Sequence, residues 1–128
     1  MANILGIDYG DKNIGLALAQ SDSIAVPYKV IVNNGLESLL EALKSLISSE
    51  NIDIIVVGLP HSFSGQTNER LEITQKFVDY LSDNLEIEVK TVDEQLTSKI
   101  YEKMGVNKDL DKHSATAILD TFLGQKNA

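Results

Sequence analysis

The sequence predicts an α/β fold with a mixed five-stranded sheet and helices on both of its faces. Two short segments, residues 3–8 and 54–57, are almost wholly apolar, which is typical of central strands that are buried on both faces. Leucine and isoleucine recur at helical spacing from Leu36 to Ile47, with charged residues on the opposite side. Because strands and helices alternate in the later part of the chain, we expect parallel strand pairing there.

The first three strands should form an antiparallel meander. The strand at residues 3–8 is followed by a turn between Gly10 and Gly15, and residues 15–19 have the pattern of a returning strand. Residues 25–32 form a third predicted strand, which ends at the turn-forming residues 33–35. Strands that are joined by short turns pair antiparallel, so strands 1 to 3 should be neighbours.

Helices and strands alternate after this meander. The predicted elements are a helix at 36–47, a strand at 54–57, a helix at 67–84, a strand at 87–92, a short helix at 97–104 and a last helix from about residue 111. A strand–helix–strand connection is normally a right-handed crossover between parallel strands. The first, fourth and fifth strands should therefore be parallel neighbours.

Length and composition limit the class of protein. The chain has 128 residues, a length that fits one domain spanning residues 1–128, and 43% of them are hydrophobic. It has no cysteine, which excludes disulfides and thiolate zinc sites. No segment resembles a signal sequence or approaches the roughly 20 apolar residues that span a bilayer. We therefore expect a cytoplasmic protein with no membrane partner.

Three carboxylates fall at the ends of predicted elements. Asp8 closes the first strand, Glu94 follows the fifth strand, and Asp111 begins the last helix. Because parallel neighbouring strands end at the same edge of a sheet, a helix that enters there would bring the three side chains together. Such a cluster is unfavourable unless cations neutralise it, and Mg²⁺ or Mn²⁺ prefers oxygen ligands. Two such ions, roughly 3.5–4 Å apart, are suited to hydrolysing a phosphodiester bond.

Two observations weigh against this interpretation. Any single Asp or Glu is more often an exposed residue or a loop cap than a ligand. The net charge of −8 is also unusual for a nucleic-acid binder, because phosphates are normally met by lysine and arginine. A local group of lysines between the second acid and the residue after the third offsets the overall sign; it comprises Lys99, Lys103, Lys108 and Lys112.

Four segments resemble the YqgF/RuvX family, ribonuclease H-like proteins described as pre-16S rRNA nucleases and as Holliday junction resolvases. The segments are Gly-Ile-Asp-Tyr-Gly at 6–10 with Lys12 and Gly15, Val-Val-Gly-Leu-Pro at 56–60 with Gly65, Val-Asp-Glu-Gln-Leu-Thr-Ser at 92–98, and Asp-Lys-His-Ser-Ala-Thr-Ala-Ile-Leu at 111–119. They occur in the order that the family shows and span nearly the whole chain. The resemblance covers the three acids found at the element ends.

The resemblance implies a ribonuclease H-like fold in which Asp8, Glu94 and Asp111 are catalytic and bind the metal ions. It also implies processing of the 5′ end of precursor 16S rRNA in ribosome biogenesis, with a four-way DNA junction as the alternative substrate. The sequence departs from the family at two positions. Family members commonly carry arginine where this chain has Gln95, and often where it has Asn13. These departures bear on substrate affinity, whereas the acids are intact.

Further residues are candidates for contacts with the nucleic acid, because they flank the three acids in loops or near helix starts. These candidates are Lys12, Gly58, Ser62, Gly65, Arg70, Lys99 and Lys112. For each of them an ordinary turn-forming or solvent-exposed role is the alternative. The expected partner is nucleic acid, with structured RNA favoured over a DNA junction, and ribosomal precursor particles are a further candidate.

Two other classes of function stay open from the sequence. A non-catalytic nucleic-acid-binding module of the same fold is favoured by Asn13 and Gln95 and opposed by the three acids. A sugar kinase or actin-like ATPase shares a similar first hairpin, but such proteins clasp the nucleotide between two domains. The chain is expected to be a monomer or a homodimer, and a dimer would favour the junction, since two symmetric cuts need two sites.

Overall fold

The computed structural model describes residues 2–20, 24–59, 69–93 and 110–126, and within these the side chains of 93, 110–114 and 124–126 are not described. The elements are β1 (Asn3–Asp8), β2 (Asn13–Gln20), β3 (Val26–Val32), α1 (Leu36–Glu50), β4 (Ile54–Leu59), α2 (Glu69–Asn84), β5 (Glu88–Asp93) and α3 (Leu110–Lys126). Each strand lies where the sequence predicts one. The short helix predicted at 97–104 lies outside the described residues.

The five strands form one mixed sheet in the order β3-β2-β1-β4-β5. β1 pairs antiparallel with β2, and β2 pairs antiparallel with β3. β4 is parallel to both β1 and β5. The predicted topology is therefore confirmed, with an antiparallel meander on one side of β1 and two parallel strands on the other.

Helices cover both faces of the sheet, because side chains alternate between the faces along each strand. In β1, Leu5 and Ile7 are fully buried beneath α1 and α2, in a cluster that includes Leu43 and Phe77. Ile4 points to the other face of the sheet, where it is buried in a second apolar cluster that includes Ile118 and Leu119 of α3. No helix among the described residues is long and apolar enough to cross a membrane.

Asn3 anchors the parallel pairing of β1 and β4 at their amino ends. Its backbone N–H donates to the Asp53 carboxylate at 2.8 Å, and the Asp53 N–H donates back to the Asn3 carbonyl at 2.8 Å. The Asn3 side-chain amide donates to the Asn51 carbonyl at 3.1 Å. These bonds tie the start of β1 to the chain that enters β4, and so help to fix which residues end the two strands at the opposite edge.

Helix α3 lies unusually close to β1 because Gly6 has no side chain. A Cβ atom at this position would lie 2.5 Å from the Leu119 Cγ and 3.0 Å from the Ala115 carbonyl oxygen. The helix therefore rests directly on the backbone of the central strand.

Replacing Gly6 with alanine is expected to lower the free energy of unfolding by about 1–3 kcal/mol, the usual cost of overpacking a core. Chemical denaturation would measure it. Leu119→Ala removes the atom that the new Cβ would meet, so Gly6→Ala combined with Leu119→Ala should cost less than the sum of the two single changes. Strictly additive losses would show that the close approach does not exist.

A second prediction concerns Asp120 on α3. Partial burial raises the pKa of this carboxyl above 3.8, and a backbone hydrogen bond from Ala25 opposes the rise. A raised pKa in the folded state means that the folded protein binds the proton more tightly, so stability falls as pH rises through the interval above 3.8. Asp120→Asn should therefore raise the denaturation midpoint at pH 7, and its advantage should shrink towards pH 4. Asp79→Asn, at an exposed position on α2, is the charge-matched control and should lack this trend.

Candidate active site at the carboxyl edge of the parallel strands

The carboxyl ends of β1, β4 and β5 lie along one edge of the sheet. Ile7 of β1 pairs with Val57 of β4, so Asp8 and Gly58 are the next residues of the two strands. Gly58 pairs in turn with Val92 of β5. Neighbouring strands are about 4.8 Å apart, so this row of three backbone positions spans about 10 Å. Glu94 follows directly on β5 in the sequence.

Asp8 lies on the α3 face of the sheet. Its side chain is half-buried, and its backbone pairs with Gly15 of β2. Residues 4 and 6 of β1 contact the α3 layer, whereas residues 5 and 7 belong to the cluster beneath α1 and α2. The alternation along a strand places residue 8 on the same face as residues 4 and 6.

Helix α3 runs antiparallel to β1, so that its first turn lies at the Asp8 edge. Gly6 meets α3 at Ala115 and Leu119. Farther along the helix, the Asp120 carboxylate is hydrogen-bonded to the backbone of Ala25. Ala25 directly precedes Val26 of β3, which pairs with Leu18 of β2, and Leu18 pairs in turn with Leu5 of β1. Asp111 lies four residues before Ala115, about 6 Å along a helix, and Asp8 lies two residues beyond Gly6, about 6.6 Å along a strand. The backbone at position 111 is therefore level with the end of β1.

The structure describes only part of the predicted site. Lys12 is exposed in the turn after β1, and Gly58 is buried in β4. For Asp111 and Lys112 only the backbone, in the first turn of α3, is described. Arg70 is half-buried in the first turn of α2, and four predicted residues lie outside the description, namely Ser62, Gly65, Glu94 and Lys99.

Within the described side chains, no group of three His, Cys, Asp or Glu residues could hold a metal ion. Two members of the predicted triad, Glu94 and the side chain of Asp111, are not in that set. The triad therefore stays a prediction that the placement of Asp8 and of the first turn of α3 favours. Of the two positions that depart from the family pattern, Asn13 is exposed at the start of β2, where it pairs with Val32, and Gln95 is not described.

The turn at residues 9–12, termed the hairpin loop below, is held by a cation from α2. The guanidinium of Arg70 donates from Nη1 to the Asp11 carboxylate at 2.8 Å and from Nη2 to the Tyr9 carbonyl at 2.7 Å. The Tyr9 ring stacks on Phe77, two helical turns farther along α2, with centroids 4.1 Å apart and planes 11° apart. The loop that follows Asp8 is thus attached to α2 at two points.

Asn33 holds the same loop from the other side. Its side-chain amide donates to the Gly10 carbonyl at 2.8 Å, and its backbone N–H donates to the Lys12 carbonyl at 2.8 Å. Its side-chain oxygen accepts from the Gly35 N–H at 3.1 Å. Sequence reasoning predicted only a strand-ending turn here. The Asn-Asn-Gly signal marks the turn, but nothing local indicates that its first residue binds a loop more than twenty positions earlier.

The mixed five-stranded sheet and the position of Asp8 at its carboxyl edge define the class of protein. It is a ribonuclease H-like domain with a carboxylate at the end of its central strand. A family model described as "RuvX: Holliday junction resolvase" matches residues 2–125. The chain is 33% identical to a "Putative pre-16S rRNA nuclease" of Halothermothrix orenii, over 97% of this chain and 96% of the relative. It is 35% identical to a protein of the same name from Sulfurihydrogenibium, over 96% and 90%. The chain belongs to the RuvX family, a family of nucleases.

A solved structure supports the fold independently. The RuvC protein of T. thermophilus, in complex with a Holliday junction substrate, superposes with a TM-score of 0.62, at 12% identity and over 92% of this chain and 90% of that one. At this identity the similarity shows the fold alone. The predicted fold class and the family resemblance are both confirmed.

Asn33→Ala removes both side-chain bonds of Asn33 and should lower the free energy of unfolding by about 1–3 kcal/mol, because the Gly10 carbonyl loses its donor in a partly buried setting. Thermal or chemical denaturation would measure the loss. Asn33→Asp keeps an acceptor for the Gly35 N–H but loses the donor, so it isolates the bond to Gly10. The control is Asn34→Ala, at the exposed neighbouring asparagine. Equal stability of Asn33→Ala and Asn34→Ala would contradict the prediction.

Proposed function

We propose that the chain is a divalent-metal-dependent nuclease that hydrolyses phosphodiester bonds in structured nucleic acid, with the 5′ end of precursor 16S rRNA as its substrate. One observation carries the proposal. Asp8 closes the central strand on the face that α3 covers, at the edge where β5 ends and α3 begins. Family membership supports the nuclease class, and the position of Asp8 supports where the reaction takes place.

The donor chemistry of this edge fits a hard cation. Asp8 is half-buried rather than free in solvent, and a partly desolvated carboxylate is stabilised by an adjacent positive charge. In the proposal Asp8, Glu94 and Asp111 would hold Mg²⁺ or Mn²⁺, and a pair of such ions is the arrangement suited to phosphodiester cleavage. When bound, the metal supplies an activated water and neutralises charge on the phosphate oxygens.

The residues of the chain itself orient the substrate. Lys12 is exposed in the hairpin loop and Lys112 belongs to the first turn of α3, so both positions border the edge at which Asp8 lies. Gly58 adds no side chain beside Asp8, which leaves room for a phosphate to approach. Ser62, Gly65 and Lys99 are further proposed contacts on the segments that adjoin this edge in the sequence.

The distribution of acids is compatible with such a partner despite the net charge of −8. Helices α1 and α2 carry exposed acids at Glu37, Glu41, Glu69, Glu72, Asp79 and Asp83. These helices cover the face of the sheet opposite to the one on which Asp8 lies. Repulsion of a nucleic acid by these acids is screened beyond about 8–10 Å at physiological salt. Binding through lysines at the Asp8 edge should therefore persist at physiological salt, and it should weaken as salt is added, because added salt opposes the release of counterions from the phosphates.

The names of the relatives favour precursor rRNA as the substrate, because those proteins are at least 30% identical over nearly the whole chain. The description of the family model favours a Holliday junction instead. The second substrate is kept as the alternative, and the same experiment separates the two.

Asp8→Asn should reduce cleavage by more than about 100-fold, since even loss of an outer partner of a metal ligand costs about 10–100-fold. The measurement is cleavage of a radiolabelled precursor carrying the 16S 5′ end and of a four-way DNA junction, with Mg²⁺ or Mn²⁺ and with chelator. Asp79→Asn, a change of the same kind at an exposed position on α2, should retain full activity.

Each outcome of this experiment bears on a different part of the proposal. Cleavage that survives Asp8→Asn or the chelator contradicts the metal mechanism. Cleavage of the junction without cleavage of the precursor replaces the substrate. Binding of either substrate without cleavage by the wild-type protein would make the chain a nucleic-acid-binding module.

A further inference from the structure

We infer that Arg70 is a positioning residue for the active site, which fixes the hairpin loop after Asp8 from the face of the sheet opposite to the site. The inference rests on the proposed function for its catalytic consequence. Its structural content, that Arg70 holds the loop in one conformation, is independent of any activity.

The geometry of the guanidinium carries this inference. The two terminal nitrogens of Arg70 bind different acceptors of the same loop, the Asp11 carboxylate at 2.8 Å and the Tyr9 carbonyl at 2.7 Å. A planar fork with fixed donors can hold two such groups in a set relation, whereas the single ammonium of lysine cannot. Arg70 therefore defines the distance between the backbone of Tyr9 and the side chain of Asp11.

The face on which these contacts lie separates Arg70 from the proposed chemistry. Tyr9 stacks on Phe77 of α2 and packs against the cluster beneath α1 and α2. Asp8 occupies the alternate position and lies on the α3 face. Because Tyr9 is bonded directly to Asp8, holding its ring and its carbonyl restricts the backbone rotations that aim the Asp8 carboxylate. Arg70 therefore acts on Asp8 through the backbone of Tyr9.

The ion pair between Arg70 and Asp11 contributes little to the global stability of the protein. The side chains of Arg70 and Asp11 are 41% and 72% exposed, and exposed pairs of this kind contribute little. Both bonds are charge-assisted, but the bond to the Tyr9 carbonyl is partly buried and so less screened by solvent, which makes it the stronger of the two. We therefore expect loss of Arg70 to loosen the loop, with a loss of global stability no larger than that of one partly buried hydrogen bond.

A direct contact between Arg70 and a substrate phosphate makes different predictions, and Arg70→Lys separates the two roles. If Arg70 is a positioning residue, kcat should fall by about 10–100-fold in both Arg70→Ala and Arg70→Lys, whereas KM and the salt dependence of binding should not change. As a phosphate contact, it should tolerate lysine, and Arg70→Ala should raise KM and lower the slope of log binding constant against log salt by about one. Lys76→Ala, at an exposed cation on the same helix, is the control.

Hydrogen exchange gives a readout that needs no activity. The backbone N–H of Asn33 donates to the Lys12 carbonyl of the hairpin loop at 2.8 Å, so its exchange rate reports how often the loop opens. Its exchange should become at least about tenfold faster in both Arg70→Ala and Arg70→Lys, the factor that corresponds to loss of one charge-assisted hydrogen bond. The Ile52 amide, which donates to Ile47 at the end of α1, is the internal control and should not change.

The outcomes distinguish this inference from the proposed function. Unchanged exchange at Asn33 in both variants overturns the positioning role, as does full activity of Arg70→Lys. Faster exchange at Asn33 in a protein whose wild type cleaves neither substrate leaves the structural role of Arg70 standing and removes the nuclease proposal. Faster exchange at Ile52 as well would show general destabilisation and would also count against a positioning role.

Discussion

The close approach of α3 to β1 at Gly6 is the constraint on which the rest of the structure depends. Because this position has no Cβ, the helix lies within van der Waals contact of the central strand at Ala115 and Leu119. The antiparallel direction of the helix then brings its first turn level with the end of β1. A larger residue at position 6 would lift the helix and separate position 111 from Asp8, which are otherwise linked only by a long stretch of chain.

The two faces of the sheet have different roles: one packs against α1 and α2, and the other carries Asp8. Among the described side chains, the face beneath α1 and α2 contains the larger apolar cluster, with Leu43 and Phe77 fully buried or nearly so. The α3 face presents Asp8 at its edge. Contacts from the first face reach the hairpin loop through Arg70 and Tyr9, so the packed side of the sheet restricts the segment that carries the proposed catalytic carboxylate.

Among the described residues, the hairpin loop contributes the Tyr9 ring to the apolar cluster and is held in addition by polar bonds to its backbone. Gly10 is required within it, because a Cβ there would collide with the Asn13 carbonyl oxygen. Arg70 and Asn33 bind its backbone carbonyls from opposite sides. A turn that is braced in this way keeps its conformation without a core of its own, which is what a loop next to a charged site needs.

The sequence by itself determined the fold class, the five strands and the position of Asp8 at the end of the central strand, because burial imposes local periodicities that a single chain displays. It also predicts that three acids share one edge of the sheet, through the parallel strand ends and through the family resemblance, and this grouping stays a prediction. Only the tertiary structure decided that Arg70 and Asn33 hold the hairpin loop. Arg70 lies 61 residues from its acceptor Tyr9, and a surface arginine looks the same in sequence whether it meets solvent, a phosphate or a carbonyl. Partners of this kind are set by proximity in three dimensions, on which local pattern carries no information.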